Sequence, residues 1–495
     1  MTGFLGVWLS RLFRRIVPDP LVLAIGLTVV AFLAALLWGR FPQVEGNKAV
    51  ALIDAWRGDG GMWRFLAFGM QICLILVTGH ALALTRPVRQ LISYVSRVPR
   101  GTGSAAALIA CIAGMCGLLN WGLGLIVGAL LAKTVAQDLA KRGIPTHYPL
   151  LCAAGYSTMM IWHGGLSGSA PLTMSNRADA ARILPPRIME QLDAQAGAVA
   201  GPGVGPGVGD DVVFSGISLA ETLGGSMNIF VTGGLLVLIP LVAMLLAPRR
   251  GDALQPVEAF HPGGLPEPET LLEPDELADV DDGTDGTRFS AAALDRSRIV
   301  VWVLAVMIII GLGRYIMLSG AGSIGLNEIN AAAMALGLIL HGSARSYMHA
   351  VADGARGCAG ILIQFPLYGG IMGMLVESGL ARQVAEGFIA MGNETTIPIL
   401  SFFAAGLVNL FIPSGGGQWA IQGPIALETA IETGIPPAKM IMAVAYGDQL
   451  TNMLQPFWAL PLLAITGVRA RDIVGYTALL MLVGGAWMML GLLLF

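Results

Sequence analysis

Charge is what this sequence has least of. Asp, Glu, Lys and Arg make up 12% of its 495 residues, where soluble domains carry roughly 25%. Hydrophobic residues reach 55% and the mean hydropathy is +0.71, more apolar surface than a soluble fold can cover. Cysteine is scarce too: Cys73, Cys111, Cys116, Cys152 and Cys358 all lie in apolar stretches. Their odd number and their spacing offer neither a disulfide framework nor a metal site, so they read as small buried side chains. Catalytic motifs are missing as well. There is no H-E-x-x-H and no phosphate-binding loop, and Gly165-Leu-Ser-Gly-Ser169 lacks the last glycine and the strand context of a nucleophile elbow. No enzyme, no organic cofactor and no ATP-driven pump is expected from this chain alone. The basic residues are scattered between apolar runs, which leaves no nucleic-acid footprint.

The charge that is present is unevenly placed. Residues 251–287 carry eleven Asp or Glu and no Lys or Arg, leaving 29 basic against 21 acidic side chains elsewhere. Arg11, Arg14 and Arg15 precede the apolar run Leu21 to Gly39, which is too long for a secretion-signal core and reads as a first span with its basic end inside. Further candidate spans fall near 64–84, 148–175, 227–247, 299–318, 327–341, 357–378, 438–466 and 474–494. Residues 104–140 and 396–433 differ, each holding two apolar arms of about 15 residues, too short to cross comfortably. They break at Asn120-Trp-Gly-Leu-Gly124 and at Asn409-Leu-Phe-Ile-Pro-Ser-Gly-Gly-Gly-Gln-Trp419, and read as re-entrant helical hairpins. With about nine full spans, the N-terminus lies in the cytoplasm and 19 of the 29 basic residues fall on that side, as the positive-inside rule requires. The acidic segment 251–297 reads as a flexible cytoplasmic linker. The Gly-Pro stretch after Ala196 reads as low-complexity sequence outside.

The two hairpins belong to a repeat. Asn120 precedes Tyr156 by 36 residues and Asn409 precedes Tyr446 by 37, each Tyr opening a polar, interrupted span. The expected fold is therefore all-α and membrane-embedded: an inverted-repeat transporter with halves at 1–250 and 298–495. It has two re-entrant hairpins and two interrupted helices, at 148–175 and 438–466.

An unwound stretch in a bilayer frees backbone groups that must find an ion, water or ligand. The candidate substrate residues are accordingly Asn120, Trp121, Gly122, Ser167 and Ser169 in the first half. In the second they are Asn409, Ser414, Gly415, Gly416, Gly417, Gln418, Trp419, Asn452 and Gln455. Pro413-Ser-Gly-Gly-Gly417 is read as a small nest for a carboxylate. Trp121, Trp162, Trp419 and Trp458 are candidate walls for an acyl tail. Asp448 is an intramembrane carboxylate, and such groups are functional by default. With Asn120, Asn409 and His163 it forms the candidate ion-coupling set, for H⁺ or for Na⁺ at the hairpin tips.

The chain resembles the bacterial short-chain fatty acid transporters of the wider ion transporter superfamily. The resemblance is carried by Val17-Pro-Asp-Pro-Leu21, Phe65-Leu-Ala-Phe-Gly-Met-Gln71, Val77-Thr-Gly-His-Ala81, Asn120-Trp-Gly122 and Ser167-Gly-Ser169. It continues in Asn228-Ile-Phe230, Gln364-Phe-Pro366, Pro413 to Gly417, Ile421-Gln-Gly-Pro424 and Gln455-Pro-Phe-Trp-Ala-Leu-Pro461. It implies short monocarboxylate substrates such as acetoacetate or butyrate, paired hairpins, elevator-like movement, a bacterial inner membrane and often a homodimer, while polar backbone at the midplane with few buried cations makes symport the expected mode. The sequence departs from the family's pattern at two positions, where Glu is common in place of Asp448 and Gly in place of His163. The second departure counts against a family-wide proton relay at His163. Another small carboxylate or ion on the same fold is the first alternative, and a membrane-embedded enzyme acting on acyl groups is the second.

Overall fold

The computed structural model describes residues 12, 18–200, 214–248, 254–260, 294–320 and 324–495. The basic residues Arg11, Arg14 and Arg15, the Gly-Pro stretch and most of the acidic segment lie outside the described residues. The described residues contain α and 3₁₀ helices and no strand. In chain order the α-helices are α1 Pro20–Trp38, α2 Lys48–Arg57, α3 Leu66–Leu84, α4 Arg86–Ser96, α5 Thr102–Leu119, α6 Trp121–Lys141 and α7 Tyr148–Tyr156. Next come α8 Ser169–Met174, α9 Arg177–Ala180, α10 Pro186–Ala200 and α11 Ser226–Leu245. The second half holds α12 Arg298–Ser319, α13 Leu326–His341, α14 Ala344–Ala355, α15 Ala359–Glu377, α16 Leu380–Ile389, α17 Ile397–Asn409 and α18 Gly415–Thr433. It closes with α19 Pro437–Thr451, α20 Pro456–Thr466 and α21 Ala470–Leu494.

Local chemistry sets many of these ends. Asp19 accepts from Leu21 N–H with Pro20 at the first helical position, and Asn47 and Ser343 cap α2 and α14 in the same way. Gly342, Gly434 and Gly467 end α13, α18 and α20 in the left-handed conformation that a Cβ disfavours. Among the described residues, eight helical segments are long and apolar enough to cross a membrane, and both arms of the first hairpin are among them. Those arms run 18 and 21 residues, against 13 and 19 in the second hairpin. The first pair is therefore long and apolar enough to cross, which corrects the expectation that arms of about 15 residues are too short to do so.

The two halves repeat one order: a long helical segment (α2–α3, α14–α15), a short helix (α4, α16), a hairpin (α5–α6, α17–α18), a broken span (α7–α8, α19–α20) and a last long helix (α11, α21). Their directions are opposed. Tyr148 near the start of the first broken span donates to Thr466 O at the end of the second, Tyr156 to Asn452 O and Gln455 O, and His163 N–H to Gln449 Oε1. Numbers rise along one span as they fall along the other, which is the inverted repeat the sequence suggested. α1 packs on α15 of the other half while α13 packs on α3, leaving α12 as the extra crossing that inverts the second half. Large apolar side chains of α1 and α12, such as Val22, Val29, Ile299 and Met307, face outward, the coat expected where lipid replaces water.

Part of the acidic segment is not a free linker. Residues 254–260 dock on the base of the first broken span: Tyr148 N–H donates to Gln255 O at 2.8 Å, Val257 is buried, and Phe260 packs on the Tyr148 ring.

Candidate functional site

The first hairpin turns on a single residue. Asn120 is extended between two helices, and its Oδ1 accepts from Gly122 N–H at 2.9 Å and Leu123 N–H at 3.3 Å, so the side chain caps α6. Trp121 N–H is held by Ser167 Oγ at 3.0 Å, which ties the tip to the break of its own half. Gly117 and Gly124 face each other across the arms; a methyl group on either would strike Thr158 Oγ1, which is fixed by its bond to Ala113 O.

The second tip is longer, Leu410 to Ser414, and Asn409 lies before it as the last residue of α17. Its Nδ2 donates to Asp448 O at 2.7 Å, Thr451 Oγ1 at 3.0 Å and Asn452 Oδ1 at 2.8 Å, and Gln455 Nε2 donates to Asn409 O. Here the amide stitches hairpin to broken span rather than capping an arm. Ser414 takes the capping role, accepting from Gly417 N–H at 3.2 Å. Gly415, Gly416 and Gly417 therefore form the first turn of α18 and not a separate nest. That turn abuts the first half: a Cβ at Gly415 would lie 2.9 Å from Ser169 Oγ and 3.0 Å from the His163 ring.

The two broken spans cross where their helices stop. α7 gives way to two 3₁₀ turns over 157–164 and a further turn closed by Gly168 N–H on Gly165 O; α19 gives way to a 3₁₀ turn at Asn452–Leu454. At the crossing His163 Nε2 and Asp448 Oδ1 approach to 3.3 Å with side chains 1% and 4% exposed. The alignment falls short of a hydrogen bond, so the contact is one of proximity. Asp448 sits inside α19, one turn before its end, and not in the unwound stretch itself. Buried polar atoms without a protein partner gather around this point: His163 Nδ1, Asn409 Oδ1, Gln449 Nε2, Asn452 Nδ2 and Gln455 Oε1. Such groups are rare in folded interiors and mark places where a ligand, ion or water belongs.

Beside them stands an aromatic wall. Trp121 and Trp458 meet edge-on at 4.9 Å, Trp162 lies 6.3 Å and 6.4 Å from them, and Phe68 of α3 closes the group at 6.2 Å and 5.9 Å. The His163 ring lies 3.7 Å from that of Trp162. The indole N–H groups of Trp162 and Trp458 are buried without a protein partner.

Many of the sequence-predicted residues meet here, but Gly122 faces Ile75 and Leu326, Gly416 is exposed, and Trp419 and Gln418 are drawn elsewhere. Trp419 turns away from the tip into a separate core with Ala426, Ala430 and Ile441, so it does not share a wall with Trp121. Gln418 Nε2 bonds Ala405 O and Gln422 Oε1, both at 2.8 Å, which makes it a staple between the hairpin arms. Two contributors were not foreseen as parts of the site. Tyr156 clasps the second break through Asn452 O and Gln455 O. Asn228 of α11 donates to Gly164 O and Leu223 O and accepts from Tyr446 and Thr232, supporting the first break. The visible signal for Asn228 was an amide in an otherwise apolar helix.

The family model described as "Short chain fatty acid transporter" matches residues 1–191 and 208–495. The chain belongs to the short-chain fatty acid transporter family. The transporter's Gly-Pro stretch falls largely within the unmatched residues 192–207. It is 35% identical to a protein of Escherichia coli (strain K12) over 495 residues, the whole of both chains, and 33% identical to one of Haemophilus influenzae over 469 residues, 95% and 94% of the two. Both relatives carry provisional names as short-chain fatty acid transporters. Among solved structures, the transporter aligns over 96% of its length with 97% of the Alcanivorax borkumensis YdaH transporter, at 15% identity and a TM-score of 0.39. It aligns over the same share with 94% of Neisseria gonorrhoeae MtrF, at 16% and 0.36. Its family and the apolar helices among the described residues make it a multi-pass membrane protein of a transport family rather than an enzyme.

Proposed function

We propose that the transporter carries short-chain fatty acid anions such as butyrate or acetoacetate by secondary active symport, moving them past the membrane by an elevator-type displacement. The observation that carries this reading is the crossing of two helix breaks at His163 and Asp448 with three indoles alongside. Its chemistry is that of a small amphiphilic anion. The acyl tail lies against Trp121, Trp162, Trp458 and Phe68, and the carboxylate takes hydrogen bonds from buried donors, with the N-terminus of α18 at Gly415 adding partial positive charge. Coupling belongs to Asp448. It carries a proton for part of the cycle, or it holds Na⁺ with the unpartnered amide oxygens of Asn409 and Gln455.

The elevator step is supported by a division of the helices. Each hairpin packs on its own broken span and α1, α2, α3, α13, α14 and α15 pack mainly among themselves, with α20 resting on α6 and with α3 and α15 meeting this pair. Close glycine contacts such as Gly128 against Gly155 join hairpin to broken span as one body. We place the transporter in the bacterial inner membrane with a cytoplasmic N-terminus, on the bias of its basic residues, and expect a homodimer, which cross-linking in native membranes tests.

Uptake of labelled butyrate into proteoliposomes, with proton and sodium gradients imposed separately, is the direct test. Accumulation under one gradient supports symport and names the ion. No uptake under either gradient overturns the reading, and competition by succinate equal to that by unlabelled butyrate shifts it to a broader carboxylate carrier.

A further inference from the structure

The short helix α4 has three chemically distinct faces. Ile92, Val95 and Ser96 turn toward the protein core. Leu91 and Tyr94, with Val98 just past the helix end, are 64%, 74% and 63% exposed, an apolar strip with an aromatic member. Arg86, Arg89, Ser93 and Arg97 follow at helical spacing on the third, with Gln90 beside them; these residues and Tyr94 line a surface cleft of about 590 Å³. A helix with an apolar strip to one side of a cationic one lies along a bilayer surface, tail side down and headgroup side up. The corresponding helix in the other half lacks this. α16 has the single arginine Arg382, bonded to Glu386 at 2.7 Å, and Glu386 also receives Arg40 at 3.1 Å, so its charge is spent within the protein.

We infer that α4 is a binding site for the phosphate of an anionic phospholipid headgroup, held by Arg89 and Arg97 with its acyl chains against Leu91, Tyr94 and Val98. Guanidinium groups suit this ligand because their fork of donors matches phosphate oxygens. The site adjoins the moving parts. α4 packs on α6, the second arm of the first hairpin. At the end of that arm Arg142 donates to Pro99 O at 3.1 Å and to Asp138 at 3.2 Å, clasping the two helices. A lipid at α4 therefore bears on the first hairpin, with nothing equivalent at the second.

The test uses the full chain in neutral detergent, native mass spectrometry and phosphatidylglycerol or phosphatidylcholine as probes. The parent retains phosphatidylglycerol, and R89Q/R97Q binds it about thirtyfold more weakly, at about 1 kcal/mol for each arginine. Arg382→Gln leaves it unchanged. If the double variant does not fold, the parent decides alone: its phosphatidylglycerol adduct is lost as NaCl rises from about 50 to 500 mM, and salt-insensitive retention overturns the site. Equal retention by R89Q/R97Q also overturns it. Displacement by equimolar inorganic phosphate overturns a lipid ligand in favour of a free anion. Binding that emerges only after the acidic side chains of 251–287 are exchanged for Asn and Gln assigns α4 to an intramolecular partner instead.

Discussion

The two hairpins share a plan and solve it differently. The first closes on one residue: Asn120 caps its own second arm, and the arms lie so near that glycine is required at Gly117 and Gly124 against Thr158. The second uses five residues at its tip, hands the capping to Ser414, and turns Asn409 outward into the broken span. Close glycine packing holds both hairpins, a Cβ at Gly447 meeting Phe402 O as tightly as one at Gly117 meets Thr158, but the second tip adds more hydrogen bonds to its neighbour. Packing holds a shape whatever is bound, whereas hydrogen bonds to an unwound segment exchange for bonds to an ion or ligand at little net cost.

The largest expected effect falls on the first hairpin. Gly117→Ala drives a Cβ into a hydroxyl that is already bonded, and should lower stability by up to about 3 kcal/mol. At the repeat-related position Gly406 the nearest atom is Thr451 Cγ2 at 3.2 Å, so Gly406→Ala should cost under about 1 kcal/mol. Thermal unfolding of the two variants in detergent compares them; equal shifts would remove the asymmetry.

Next is Asn409→Leu, which strands the buried groups it now serves and should cost about 2 kcal/mol, against about 1 kcal/mol for loss of the cap in Asn120→Ala. The same melts rank them, and an order reversed would assign the stitching role to the first tip. Ser167→Ala, which removes one bond to Trp121 N–H, should cost about 1 kcal/mol and weaken butyrate affinity through the displaced indole, measured as the half-saturating concentration for uptake.

The smallest effect concerns the link from α8 to α11, which has no equivalent in the second half, where 467–469 alone join α20 to α21. There Arg177 donates to both oxygens of Asp193 at 2.5 and 2.9 Å, and Phe214 N–H adds a third bond at 2.7 Å. Arg177 first, then Phe214, hold this carboxyl below its usual range. The clasp is accordingly complete at and above the ordinary carboxylate range and is lost as pH falls through the depressed value. Hydrogen exchange around residues 186–194 should rise only in that acidic window; a rise near neutrality would contradict the pairing.

Much of this architecture was legible because membranes restrict backbone so severely. Apolar runs gave the spans, and Asn120, Pro413 and the glycines at 415–417 marked the tips as places no continuous helix would hold. What was not legible was direction. A glycine run signals permissive backbone without saying whether it forms a nest or opens a helix, and it opens α18. Trp419 and Gln418 sit beside the tip in sequence, but the turn of α18 carries them into the core and between the arms. Nor does a sequence reveal that His163 and Asp448, 285 residues apart, meet at 3.3 Å, since that depends on how two halves register. The pairing of Tyr156 with the second break belongs to the same class of information.

If the Asp448 carboxyl couples substrate to an ion, Asp448→Asn should uncouple the transporter while nearly keeping shape and hydrogen-bonding capacity. Two assays on the same proteoliposomes, matched for protein content, are compared: gradient-driven accumulation of labelled butyrate, and counterflow exchange without a gradient. Accumulation should fall by more than about tenfold, equivalent to about 1.4 kcal/mol of lost coupling, while exchange continues. Accumulation equal to that of the parent would contradict that coupling role, leaving Asp448 a structural residue of α19.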